Sequence, residues 1–338
     1  MYKQIITAIL ILAQINTFSQ TINIGERTLH FKDTRRNRPL TTEVWYPTTD
    51  ILKPADKYTS PFLRMNTVRD GRIAARKLPL IMISHGSGGD RLSLEWLAQF
   101  LALHGYMVAA VDHWGNTYDN KIPIEFIKAW ERPQDISFVI TQLLSDPVFK
   151  KVIDARKIGA VGFSFGGSTM IELAGGIADY PALLNYYRTT GRKEVEVPEL
   201  PGLVALLSDS AFVAQTRHVP VLKDSRIKAF IAISPSMGTG FSNKSQFKNV
   251  NGAVLIIGSN ADVMNPVKLN SRNYHYLITG SEYYEFPGKT GHYVMLAEAN
   301  DKIRKEVPAV FMDDPSVNRH QVHLTVDSLA LDFFRRKL

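Results

Sequence analysis

From Leu78 onward the chain alternates short apolar runs with stretches whose apolar residues recur at helical spacing. That rhythm predicts successive βαβ units in a mainly parallel, doubly wound sheet. The apolar runs lie at 78–84 (LPLIMIS), 106–112 (YMVAAVD), 157–163 (KIGAVGF), 227–234 (IKAFIAIS) and 252–259 (GAVLIIGS), and SEYYEF at 281–286 adds a further strand. Between them, helices are predicted over 93–105, which ends in Gly105, over about 133–144 and over 166–175. Glycine suits a helix C-terminus, and Pro133 falls in a first turn, where its missing N–H costs little. The closing VHLTVDSLALDFFRRKL has the spacing of a helix laid over a sheet. Ahead of Leu78, segments 28–34 and 41–47 alternate in polarity around a charged turn and predict an antiparallel opening hairpin. Residues 177–225 interrupt the order and are too long for an ordinary connection. Placed between a helix and the next parallel strand, they are expected above the strand ends as a cap that shapes a pocket.

Composition narrows the class. With 338 residues, 45% hydrophobic and 21% charged, the chain can bury one large core. A formal charge of +8 is spread without any block of five or six like charges. The nearest basic cluster, Arg35, Arg36 and Arg38, reads as a solvated hairpin turn, so no nucleic-acid groove is expected. At the N-terminus Lys3 precedes an apolar run from Ile5 to about Ala13, with small residues at Thr17 and Ser19. This is signal-peptide order over residues 1–19, and it predicts export to the periplasm or the exterior. The run is short of the roughly 20 residues a spanning helix needs, so no transmembrane segment is expected in the mature protein. No cysteine occurs, which excludes disulfides, a thiolate nucleophile and cysteine-ligated zinc.

The chemistry concentrates at strand ends. Gly162-Phe163-Ser164-Phe165-Gly166-Gly167 falls between a predicted strand and a predicted helix. A serine in G-x-S-x-G at such a junction sits on a sharp turn that lifts its hydroxyl outward, and glycines are needed where Cβ atoms would clash. The first helical amide, at Phe165, can donate to a developing oxyanion. The loop His85-Gly86-Ser87-Gly88-Gly89 offers a second donor, for which the Ser87 N–H is best placed. His85 itself is expected to fix the loop's shape. A serine hydroxyl needs a base, and His292, after a glycine turn beyond the last predicted strand, fits the chain order Ser, acid, His. Asp262, directly after the 252–259 strand, is the first choice of supporting carboxylate; Asp112 precedes the serine and has the wrong order. His113, Trp114, Phe165 and Tyr293 are candidates to line an apolar pocket. No metal-ligand spacing, P-loop or dinucleotide fingerprint appears, and the chemistry predicted here requires no cofactor.

The stretches 79–116, GFSFGG, VLIIGSNADVMNPV and GKTGHYVML together resemble bacterial dienelactone-hydrolase-like and platelet-activating-factor acetylhydrolase-like α/β hydrolases. The resemblance runs over about 25–338 outside the insertion. It implies the α/β-hydrolase fold, Ser164 as nucleophile, His292 and Asp262 as its partners, and Ser87 and Phe165 as oxyanion donors. Two departures are visible: dienelactone hydrolases use a cysteine that this chain lacks, and the animal acetylhydrolases place their acid where this chain has Ser234-Pro235-Ser236. Bacterial polyester hydrolases are similar in the A-D-x-x-x-P-V context of Asp262. The implied activity is hydrolysis of a small-molecule or lipid carboxylic ester through a serine acyl-enzyme. Phospholipid or polyester hydrolysis is one alternative, and a catalytically silent binding protein on the same fold is another.

Overall fold

The computed structural model describes residues 22–57, 59–196 and 200–338; the expected signal peptide, 1–19, lies outside the described residues. Nine strands form one sheet: β1 Asn23–Asp33, β2 Arg38–Thr48, β3 Val68–Arg69, β4 Leu78–Ser84, β5 Met107–Val111, β6 Ile153–Phe163, β7 Ile227–Ile233, β8 Ala253–Ser259 and β9 Glu282–Phe286. Their spatial order is β3-β1-β2-β5-β4-β6-β7-β8-β9. The segment from β5 through β4 to β9 is parallel throughout. The β1–β2 hairpin, paired from Asn23↔Thr48 to Asp33↔Arg38, joins antiparallel to β5. The predicted hairpin, parallel strands and intervening helices are all present; β3, only two residues long, carried no sequence signal.

The continuous apolar runs follow from burial on both faces. Leu80 and Met82 of β4, with Ala160 of β6 and Ile256 of β8, pack under helices Glu131–Ser145 and Phe165–Ala174. Ile81, Ile83, Val161 and Ile257 point the other way, against helices Glu95–Leu103 and Arg319–Lys337. Strand neighbours on opposite faces are what a period of two dictates. Among the described residues no helix is long and apolar enough to cross a membrane.

Two features position the site. First, the connection from β4 goes to β5 on one side, while β6 lies on β4's other side, so the strand order reverses between β4 and β6. A crevice opens at such a reversal beyond the strand C-termini, and the loops after β4 and β6 both end there. Second, the described residues of 177–225 include short helices at Tyr180–Arg188, Arg192–Val195, Leu203–Leu206 and Ser210–Gln215. Their apolar faces form a separate cluster with Phe126, Trp130 and Met237.

One expectation fails here. Arg35 is exposed, but Arg38 is buried and grips Asp135 with two hydrogen bonds of 2.8 Å, while Arg36 is half-buried between Asp33, Glu131 and Asp135. The cluster is not a solvated turn. The hairpin end folds over the helix Glu131–Ser145, which supplies two of the carboxylates, Glu131 and Asp135.

Candidate active site

Ser164 sits between β6 and the helix Phe165–Ala174 with φ 56° and ψ −116°, a backbone conformation that an L-residue adopts only under constraint. The constraint is close packing. A Cβ on Gly162 would lie 2.1 Å from the Gly166 carbonyl oxygen, and one on Gly166 would lie 2.0 Å from that of Ser84. The turn is pinned to the neighbouring strand by the Ser164 N–H, which donates to the Ile233 carbonyl at 2.9 Å.

Two loops deliver the partners. The His292 ring, from the turn after β9, places Nε2 3.0 Å from Ser164 Oγ and Nδ1 2.7 Å from Asp262 Oδ2. Asp262 follows β8, and its other oxygen accepts the backbone N–H groups of Met264 and Asn265 at 3.0 and 2.7 Å. These bonds fix the carboxylate so that its free oxygen faces the imidazole. Phe163 packs on the His292 ring at 4.8 Å between centroids and limits its rotation. With Nδ1–H donating to the carboxylate, the Nε2 lone pair is left to accept a hydrogen bond from the Ser164 hydroxyl.

The Phe165 amide opens the helix and has no carbonyl four residues earlier within it. Ser87 lines the same cavity beyond β4, on a loop shaped by His85 Nδ1–H donating to Gly86 O at 2.6 Å and by Gly88 N–H donating to Asn116 Oδ1 at 2.8 Å. Burial, and then the charge of Arg132, push the His85 pKa well down, so it is a neutral loop element rather than a base.

The cavity above Ser164 has a volume of about 690 Å³. The insertion supplies one wall, with Tyr180, Leu183, Leu184, Tyr187, Leu203 and Phe212. Phe62, Leu63, Leu296, Val307, Val310 and Phe311 supply a second, drawn together by the Phe62–Phe311 ring contact at 5.5 Å and by Leu63 N–H donating to Glu298 O at 2.7 Å. Tyr293 and Phe165 also face this space.

His113 and Trp114, expected to line it, do not. His113 is fully buried, with Nε2 2.9 Å from Ser84 Oγ and Nδ1 3.0 Å from Asp135 Oδ2, and Trp114 packs against the core. A residue just past a strand end points to one face of the sheet or the other, and these two turn to the face covered by the helix Glu131–Ser145. Sequence reasoning also missed Asn265, whose side-chain amide donates to Ser164 Oγ at 3.3 Å and to Ser234 O at 2.8 Å. Its place in a turn-forming run concealed it.

A parallel sheet reversing between β4 and β6, an antiparallel hairpin at one side and a serine elbow after β6 define the α/β-hydrolase fold, and this chain has that fold. A ferulic acid esterase from Streptomyces cinnamoneus superposes with a TM-score of 0.63 at 21% identity, covering 95% of this chain and 91% of that one. Over 125 residues the chain is 27% identical to cutinase est2 of Thermobifida alba; that stretch spans 36% of this chain and 39% of the cutinase. No protein-family model matches the chain.

Proposed function

We propose that the protein is an exported serine hydrolase that cleaves carboxylic esters through an acyl-enzyme. In this reading His292 Nε2 takes the Ser164 proton as Oγ attacks the ester carbonyl, and the Phe165 and Ser87 amides hold the oxyanion. The imidazolium, steadied by the Asp262 carboxylate, protonates the departing alcohol. Water, activated by the same imidazole, then releases the acid and restores Ser164. The observation that carries the reading is the pair of contacts, 3.0 and 2.7 Å, joining side chains from three separate loops at the base of a largely apolar cavity. The walls favour esters with apolar groups on the acid or the alcohol.

The likeness in fold to a ferulic acid esterase and the stretch similar to a cutinase both support ester hydrolysis. The latter favours a second substrate reading, apolar polyester chains, which a panel of soluble esters set against polyester film distinguishes. The test of the main reading is covalent. Wild-type protein is expected to turn over p-nitrophenyl acetate and to be labelled by a fluorophosphonate, and Ser164→Ala to lose both. Undiminished labelling of the variant would remove Ser164 from its role, and a wild type inert to both reagents would mark a silent binding protein. Export is tested separately by N-terminal sequencing of the mature protein, expected to begin near Gln20.

A further inference from the structure

We propose that Arg132 is a positioning residue of the oxyanion hole, fixing and polarising the peptide whose N–H is presented at Ser87. The inference rests on the serine-hydrolase reading above. Arg132 stands in the first turn of the helix Glu131–Ser145 and is 1% exposed. Its Nη1 donates to the carbonyl of His85 and its Nη2 to that of Gly86, at 3.1 Å for the latter. The Gly86 C=O and the Ser87 N–H are the two ends of one peptide plane. A cation on the oxygen draws electron density through that plane and makes its N–H a stronger donor. The same oxygen accepts His85 Nδ1–H at 2.6 Å and Gly89 N–H at 3.3 Å, so three donors converge on one carbonyl. The plane is thereby held in one orientation as well as polarised.

The guanidinium also lies over the Phe165 ring, 4.7 Å from its centroid. One buried cation therefore touches the Phe165 ring and the carbonyl of the peptide whose N–H belongs to Ser87. Its surroundings separate it from an ordinary structural arginine. Among the described residues no carboxylate pairs with it directly, whereas Arg38 takes both oxygens of Asp135. Its Nε has no hydrogen-bond partner among those residues either. Burial lowers its pKa to about 9 against the pull of the Asp135 charge, which leaves it cationic at neutral pH. A buried ion without a direct counter-ion is costly. Holding two carbonyls could be done by neutral donors, whereas charge placed behind a developing oxyanion gives the cation a use.

The experiment uses the full mature chain with Arg132→Met and Arg132→Lys. In Arg132→Met, kcat for p-nitrophenyl acetate is expected to fall by roughly 10²–10³-fold with KM little changed, the size seen for loss of an oxyanion donor. Arg132→Lys keeps the charge but cannot hold both carbonyls in a fixed fork, and is expected to fall between the two. The decisive readout is a trifluoromethyl ketone, whose adduct on Ser164 places an oxyanion in the hole. Its inhibition should weaken by the same factor as kcat, while an unreactive ether of the same shape binds as to wild type. Native kcat in either folded variant, or equal weakening of the ketone and the ether, overturns the proposal. Should the methionine variant fail to fold, the lysine variant decides alone. A wild type without esterase activity would instead sink the underlying serine-hydrolase reading.

Discussion

Two Ser–His–Asp sets are hydrogen-bonded in the same order in this molecule, and they differ in nearly everything else. Ser164, His292 and Asp262 are joined by contacts of 3.0 and 2.7 Å, and Ser84, His113 and Asp135 by contacts of 2.9 and 3.0 Å. Distances alone do not tell them apart. The first serine sits at φ 56° on a turn facing a cavity, whereas the second ends β4 in ordinary strand geometry with no exposed surface. The first opens onto the cavity that Ser87 and Phe165 also line. The second is enclosed by arginines: although burial alone would raise it, hydrogen bonds from His113 and Arg38 hold the Asp135 carboxyl well below the usual range. Burial, and then the Arg132 charge, push His113 down to about 4, so its imidazole stays neutral. A nucleophile therefore needs more than a base and an acid in line. It needs an accessible oxygen and donors aimed at the charge that will form. The buried set instead ties β4 and β5 to the helix Glu131–Ser145.

The largest effect that could break this comparison comes from the two histidines. His292→Ala is expected to lower kcat by on the order of 10⁶-fold, as loss of the base does in serine hydrolases. His113→Ala should instead leave Asp135 and Ser84 short of a partner and lower stability by about 1–3 kcal/mol, read by urea denaturation. Comparable losses of kcat in both would merge the two sets into one machine. Next in size are the acids. Asp262→Asn should cost roughly 10⁴-fold in kcat by inverting the tautomer preference of His292. Asp135→Asn should destabilise by about 3–5 kcal/mol, because it removes the fully buried carboxylate that holds Arg38 and His113 and leaves Arg38 with the Glu125 carboxylate alone.

A third buried carboxyl sharpens the point, since among the described residues no cation pairs with it. Asp327, in the C-terminal helix, is pushed up to about 8 by burial alone, and its Oδ1 has no hydrogen-bond partner. Its folded pKa exceeds its unfolded value, so the penalty is absent below the unfolded pKa, about 4. The penalty grows as pH rises toward 8 and levels off above it. Asp327→Asn should therefore stabilise the protein by a few kcal/mol at pH 7, at about 1.4 kcal/mol per pKa unit, and by nothing near pH 3. A pH series of melting temperatures for both proteins reads the difference. A gain that stayed constant with pH would show that charge is not its cause.

What could be read from the chain follows the range of the interactions involved. The serine elbow is a local object: Gly162 and Gly166 are demanded by neighbours within a few residues or on the adjacent strand. The two-sided burial of β4, β6, β7 and β8 is likewise written as continuous apolar runs. Asp262 and His292 could be chosen because each follows a predicted strand and their chain order after the serine, acid and then histidine, is the one this fold uses. The buried arginine network gave no such signal. Arg38 and Asp135 lie 97 residues apart, and in sequence an arginine beside two others in a turn looks solvated. His113 was misplaced for a related reason, since the face to which a residue beyond a strand end turns is decided by the packing opposite it. Asn265 was hidden because a turn-forming residue and a hydroxyl-binding one look alike until the serine is brought beside it.

The walls of the cavity are contributed by stretches outside the sheet, one by the insertion and the other by residues 60–64 together with 296–311. The elbow, the imidazole and the acid all hang from strand ends instead. In the proposed hydrolase, selectivity and reactivity would thus be carried by different lengths of polypeptide, so that either wall could be exchanged, lengthened or trimmed while the reacting groups keep their geometry. Such a division gives evolution or an engineer a scaffold on which new substrates are reached by grafting rather than by rebuilding.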